Sequence, residues 1–375
     1  MKSVHLVPLF ALCAAVATPA GAELPFIAGP GFEPGSQPWG CLAADIDGDD
    51  GIDLAVANFA IAGSATVLLG DGTGAFAAVS QPPVAKLPWG IASGDFNGDG
   101  KLDLVVSSIS NDPTDIVTVM LGNGDGSFDA GVEHEVGGNP QFVKVADLDN
   151  DGDDDIVLVS ADAEAVSVFL GHGDGTFAAR SDFALGLAPT NLVVKDIDGD
   201  GIEDVVAAAN SFFAAFAILK GIGDGRFDAP TYGGTNGFYQ SVAADDFNRD
   251  GLTDVALLHR ASSRVDVFIA VAPRQFGDFV SLPTDADVGS VGSADLYGDG
   301  RIQIVTAGYS GIRIFESRDD GTFDDMGAIP DVYGGYDIVF ADFNGDGALD
   351  LFSADASRVA SRVLLNQTVF RSGFD

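Results

Sequence analysis

The feature that most constrains this chain is a short acidic loop that recurs along its whole length. The aspartates that open the loop stand at Asp45, Asp95, Asp147, Asp196, Asp246, Asp295 and Asp342, at intervals of 50, 52, 49, 50, 49 and 47 residues. A phenylalanine precedes each of them by 19 residues, at Phe26, Phe76, Phe128, Phe177, Phe227, Phe276 and Phe323. Two markers locked to one period mean a single structural unit copied in tandem, so the chain must build a repeat architecture.

Within a period the sequence reads as four short strands. In the unit that opens at Phe177, residues 177–183 alternate, residues 192–195 lead into the acidic loop, and residues 205–209 are apolar on both faces. Residues 216–219 make a fourth strand, closed by Gly221-Ile222-Gly223-Asp224-Gly225. A strand that is apolar on both faces is buried on both sides, and four strands per period of this length describe a propeller blade. The expected fold is therefore all-β: a seven-bladed β-propeller with four-stranded blades. Residues 26–29 match the outer strand of a blade and residues 362–365 the strand before it. The N-terminal strand should thus join the last blade and close the ring, which removes two exposed edges.

The loop itself has the ligand set of a hard cation. Asp95-Phe96-Asn97-Gly98-Asp99-Gly100-Lys101-Leu102-Asp103 places side-chain oxygens at positions 1, 3, 5 and 9, with glycine at position 6 for the sharp turn. Calcium takes six to eight oxygens at about 2.3–2.6 Å, and several carboxylates per loop with no histidine or thiolate favour it over zinc, copper or magnesium. The candidate ligands are Asp45, Asp47, Asp49 and Asp53; Asp95, Asn97, Asp99 and Asp103; Asp147, Asp149, Asp151 and Asp155. They continue with Asp196, Asp198, Asp200 and Asp204; Asp246, Asn248, Asp250 and Asp254; and Asp342, Asn344, Asp346 and Asp350. Asp50 stands where the other loops have glycine, and aspartate tolerates the left-handed backbone needed there. The sixth loop departs further: Tyr297 and Gln303 replace two ligands, so Asp295–Gln303 is expected to be weak or empty, leaving about six calcium sites. An EF-hand is excluded, because position 12 falls inside a strand and is never glutamate.

Those loops, with the stretch Leu121-Gly122-Asn123-Gly124-Asp125-Gly126-Ser127-Phe128 and its relatives at Leu69 and Leu170, resemble FG-GAP/VCBS repeats. The same fold forms the propeller of integrin α subunits. The resemblance covers residues 23–368 and implies a calcium-bearing propeller used for adhesion or ligand binding, or as a support beside catalytic domains.

Residues 1–22 read as a signal peptide: Lys2, a mostly apolar run over residues 4–17, and Ala20-Gly21-Ala22 as a cleavage signal. A secreted protein, extracellular or periplasmic, is expected, with no membrane span and a short tail at residues 369–375 outside the repeats. Only Cys41 then remains, so no internal disulfide can form and bound metal is the expected stabiliser. A net charge of −38 argues against nucleic-acid partners.

No catalytic motif is present: the three histidines of the mature chain, His134, His172 and His259, lie in separate repeats, and neither G-x-S-x-G nor H-E-x-x-H occurs. Recognition is expected on the face opposite the acidic loops. Six residues ahead of the loops stand Trp39, Trp89, Gln141, Thr190, Gln240, Gly289 and Tyr336, of which Trp39, Trp89, Gln240 and Tyr336 are the candidate ligand-binding residues. Other loops of that face offer Asn58, Asn111, Asp112, Asp115, Asn210, Phe212, Arg264 and Tyr309. The reading is a monomeric binding or adhesion module for a carbohydrate or extracellular protein. A polysaccharide-acting hydrolase or lyase with acids in the channel, and a structural partner in a larger assembly, are the alternatives.

Overall fold

A computed structural model of the protein describes residues 24–109, 115–329, 334–354 and 361–368. The expected leader and tail, and Asn111 and Asp112, lie outside these residues. The described strands form antiparallel sheets arranged around an axis. Strand Pro38–Ala44 packs beside Pro88–Gly94, which packs beside Pro140–Ala146, and the series continues through Ala188–Lys195, Gly237–Asp245, Val288–Ala294 and Ile338–Ala341. The last of these returns to Pro38–Ala44, so the inner strands make a closed ring.

The expectation of seven separate four-stranded blades is corrected by the pairing. Among the described residues, five four-stranded blades form, and the other strands make one eight-stranded sheet. The cause is local. Strand Asp204–Ser211 runs on past Ala208, where its ladder with Phe216–Leu219 ends opposite Phe216, and Asn210 and Ser211 pair with Phe238 and Gly237 of the next inner strand. That short ladder makes one sheet where a cleft was expected.

The first and last described strands pair as the sequence implied. Phe26–Phe32 pairs antiparallel with Ser361–Asn366, Phe26 opposite Asn366, on the outside of a sheet that continues through Asp350–Ser353 to Ile338–Ala341. The outer strand expected at 177–183 is shorter, Ser181–Ala184, while Phe177 makes an isolated bridge to Gly171.

The second strand of each sheet is squeezed between neighbouring sheets. Asp53–Asn58, Asp103–Ser108, Asp155–Ser160, Asp254–His259 and Gln303–Gly308 are buried at every position. This is why the sequence there is apolar on both faces. The core therefore lies between sheets; Cys41, for example, is buried among Leu54, Val56, Phe352 and Val363, where two sheets meet.

Candidate metal loops and the aromatic mouth

The acidic loops share one hydrogen-bond plan. In the loop at Asp95, the first carboxylate accepts the N–H groups of Asp99 at 3.1 Å and Gly100 at 2.8 Å. Asn97 Oδ1 accepts from Asp99 at 2.9 Å, and Asp99 Oδ1 from Lys101 at 3.0 Å. These bonds wind the loop and turn its oxygens inward. Asp50 takes the left-handed conformation, φ 70°, that Gly100 takes at φ 80°.

The ninth-position aspartate works differently, because it is the first residue of a buried strand. Asp103 accepts the N–H of Phe96 at 2.9 Å and that of Gly122 at 2.7 Å, pinning the loop to the end of the adjoining strand. Asp155 does the same with Leu148 and Gly171, and Asp254 with Phe247 and Ala270. Asp53, Asp204 and Asp350 repeat the pattern. All six of these carboxyls are buried, and burial pushes Asp103, Asp155, Asp204, Asp254 and Asp350 up to about 6 against the pull of those N–H groups. Asp53 is raised by the same cause. A buried carboxyl with acidic neighbours is a group that a cation would relieve.

Three aspartate groups bring one oxygen each within 4.8 Å of one another: Asp45, Asp47 and Asp53; Asp147, Asp149 and Asp155; Asp196, Asp198 and Asp204. The residues fit a metal ion, and all-oxygen donors are compatible with calcium. Asn97, Asn248 and Asn344 offer an amide oxygen at the third position of the other loops.

The in-phase phenylalanines find their reason here. Phe177 packs on Phe96, the second residue of the acidic loop of the preceding repeat around the ring, at 5.4 Å between ring centroids; Phe76 packs on Phe343 at 5.6 Å and Phe323 on Phe247 at 6.0 Å. The glycine-rich turns add backbone links: Gly175 N–H donates to Phe96 O at 2.8 Å and Gly74 N–H to Phe343 O at 3.1 Å. Each of these loops thus holds its neighbour's outer edge.

At the opposite end of the inner strands lies an aromatic mouth. Trp39 stacks on Tyr336 with centroids 4.0 Å apart and planes 3° from parallel, and meets Trp89 at 4.6 Å and Phe59 at 4.6 Å. These rings come together because glycines follow the tryptophans. A Cβ on Gly40 would stand 2.5 Å from Trp89 O, and one on Gly90 would stand 2.9 Å from Gln141 O. Trp39, Trp89, Tyr336, Gln141, Thr190 and Gln240 all line one cavity of about 780 Å³.

An FG-GAP-like repeat model matches residues 45–106, 95–158, 147–207, 196–257 and 295–353. The chain belongs to the FG-GAP-like repeat family. None of the curated proteins compared with it matches. Among solved structures, the fold is similar to BBS1N crystallised in complex with ARL6DN, with 11% identity and a TM-score of 0.65 over 94% of this chain and 99% of that one. It is similar to the BP39L lectin from Burkholderia pseudomallei, with 15% identity and a TM-score of 0.64 over 90% and 97%. A lectin from Agrocybe aegerita, described as recognising non-reducing terminal N-acetylglucosamine, matches at 19% identity and a TM-score of 0.55 over 84% and 88%. At such identities the likeness is one of fold.

The FG-GAP-like repeats of this chain are not equivalent. In the sixth loop Gln303 keeps one duty of the aspartate, accepting Leu296 N–H at 2.7 Å, but its buried Nε2 finds no partner. The strand end that an aspartate would hold is bonded elsewhere, Ser317 N–H to Ile302 O. In the fourth loop Lys220 donates to Asp198 and Asp200, both at 2.6 Å, and Arg274 lies 3.0 Å from Asp198. Two cations there compete with any metal.

The other residues expected on the mouth face divide. Asn210 lines the cavity, Tyr309 packs on Tyr336 at 5.9 Å, and Phe212 is 86% exposed. Asn58 is buried and donates to Thr66, Arg264 pairs with Asp266, and Asp115 accepts Asn139 N–H, so these three serve the scaffold. Gly289 is a packing glycine: a Cβ there would stand 2.5 Å from Gly335 O. Sequence reasoning missed Phe238, Arg260 and Asp287, which line the cavity. Phe238 lies two residues from Gln240 on one strand, a same-face position that could have shown it.

Proposed function

We propose that the protein is an exported, calcium-loaded propeller that binds a carbohydrate or an extracellular protein at the aromatic mouth. The observation that carries this reading is the mouth itself: Trp39, Trp89 and Tyr336 beside the amides of Gln141 and Gln240 and the hydroxyl of Thr190. Aromatic faces with a few convergent polar groups suit a sugar ring, whose C–H face stacks while its hydroxyls bond at the rim. Neither tryptophan's indole N–H has a hydrogen-bond partner among the described residues. The two lectins of similar fold support the carbohydrate arm.

The test is a panel of polysaccharides and cell-surface extracts, with wild type and the double variant Trp39→Ala, Trp89→Ala. Retention by the wild type should be lost in the variant, at least about a hundredfold in affinity for a site built on two stacking rings. Both tryptophans are only part-buried, so the melting temperature should fall by no more than about 5 °C. Undiminished retention by the variant would place the site elsewhere.

In this reading the loops with complete ligand sets hold about six calcium ions, the sixth loop being weak. The fourth loop should be weakened by its own cations, Lys220 and Arg274. Lys220→Gln is expected to tighten calcium there by about tenfold, since it removes a positive charge beside two ligands. Calorimetric titration of the two proteins would check it; superimposable isotherms would refute it.

One observation keeps a catalytic reading in view. Asp245 and Asp337 line a second cavity together with Lys144 and Lys195. Turnover of a polysaccharide that is abolished by Asp337→Asn would establish that reading.

A further inference from the structure

The chain is strongly acidic, and its cations are almost all spoken for. Among the described residues, the arginines and lysines are nearly all held against carboxylates, from Lys101 on Asp99 to Arg318 on Asp324. Arg260 and Lys144 make no ion pair, nor does the exposed Arg362 on strand Ser361–Asn366. Arg260 and Lys144 both line the axis of the ring.

Arg260 stands in the mouth. Its guanidinium carbon lies 5.6 Å above the Tyr336 ring, and one Nη donates to Gln240 Oε1 at 3.3 Å. These contacts fix the plane of the group and leave most of its five donors unengaged. Asp287 lines the same cavity, and among the described residues no ion pair joins it to Arg260. Lys144 stands further in. Along the inner strands the residues of the mouth are followed directly by those of the second cavity, of about 300 Å³: Gln141 by Phe142, Thr190 by Asn191, Gln240 by Ser241, Tyr336 by Asp337. Asp337 shares that cavity and feels the charge of Lys144, but is itself bonded by the N–H groups of Cys41 and Ile338.

A planar guanidinium without a carboxylate, held beside a stacked pair of rings, is a receptor for a carboxylate attached to a ring. We propose that the mouth selects a saccharide bearing a carboxylate, its ring on the Trp39–Tyr336 stack and its acid group on Arg260. The proposal rests on the carbohydrate reading of the mouth and narrows it to acidic sugars. Deeper in, Lys144 and Lys195 offset Asp337 and Asp245, so the axis does not add to the net charge of −38 that would otherwise repel such a ligand.

The test uses the full mature chain in calcium and a panel of uronic-acid oligosaccharides, each paired with the neutral oligosaccharide of the same linkage. Calorimetry should show at least one acidic member bound about tenfold or more tightly than its neutral counterpart, as a charge-assisted bidentate contact warrants. Arg260→Gln should remove that preference, bringing the acidic member's affinity down to that of its neutral counterpart measured on the same variant, and Arg260→Lys should restore part of it. Equal affinity for acidic and neutral members, or a preference that survives Arg260→Gln, overturns this proposal and leaves the carbohydrate reading standing. Binding of neither class overturns both.

Discussion

Removing calcium is expected to lower the melting temperature of this protein by roughly 10–20 °C, an effect readable by scanning calorimetry in chelator and in about 2 mM calcium. If an ordinary extracellular site binds at about 10⁻⁴ M, that concentration stabilises the folded state by about 1.8 kcal/mol per site. Several such sites acting on a chain of this size give a shift of that order. The structure says where the stabilisation enters. A loop held open by repelling carboxylates would lose the seat that Phe96 offers Phe177, and the bond from Gly175 N–H, so neighbouring sheets would loosen together. The expected result is a broad, early transition in chelator and a sharp, late one in calcium. Identical curves would refute it.

The buried ninth-position carboxyls give this effect a pH dependence. The folded value of about 6 at Asp103, Asp155, Asp204, Asp254 and Asp350 lies above the ordinary 3.8, so between those values the folded chain binds protons that the unfolded chain does not. In chelator, the stability from this source is complete below about pH 3.8 and is lost as pH rises through 6. Calcium needs these groups ionised, so its binding strengthens over the same rise. Going from about pH 5 to about pH 7.5 should therefore widen the gap between the two melting curves. A gap that narrows would contradict the assignment.

The second large effect is expected from Asp155→Ala. Asp155 is fully buried and takes the N–H groups of Leu148 and Gly171 at 2.8 and 2.7 Å. Alanine would strand two buried donors, at about 1–3 kcal/mol each, and remove a metal ligand besides. Chemical denaturation should show a loss of about 2–6 kcal/mol even in chelator, where no metal contributes. The exposed fifth-position Asp151 serves as the contrast, because its Oδ1 accepts only the N–H of Asp153. Asp151→Ala should cost little in chelator and act mainly through calcium. Equal losses in chelator would show that the ninth position has no special role as a peg.

What could be read in the sequence follows from how local each feature is. The acidic loops wind on bonds that span two to five residues, so Asp95, Asn97 and Asp99 announce themselves by spacing alone. The phenylalanine marker was visible as a period, while its partner, a residue of the neighbouring repeat's loop, was not. The same limit explains the blade count. Asn210 and Ser211 pair with Phe238 and Gly237 because a strand overruns its neighbour, and nothing in the repeat predicts that. In the mouth, Trp39, Trp89 and Tyr336 were found by their fixed place ahead of the loops, since one register puts them at one height. Arg260 belongs to the turn after Asp254–His259, which differs from repeat to repeat, and only the folded ring brings it over Tyr336.

Trp39 and Trp89 are the protein's only tryptophans, and both line the mouth. Intrinsic tryptophan fluorescence therefore reports on the proposed site in the unmodified protein. The decisive measurement is a fluorescence titration of the calcium-loaded chain with each ligand that the binding panel retains. The account predicts a saturable change in intensity or emission maximum, with a midpoint matching the affinity found by calorimetry. A ligand that binds by calorimetry and leaves the tryptophan emission untouched would contradict it.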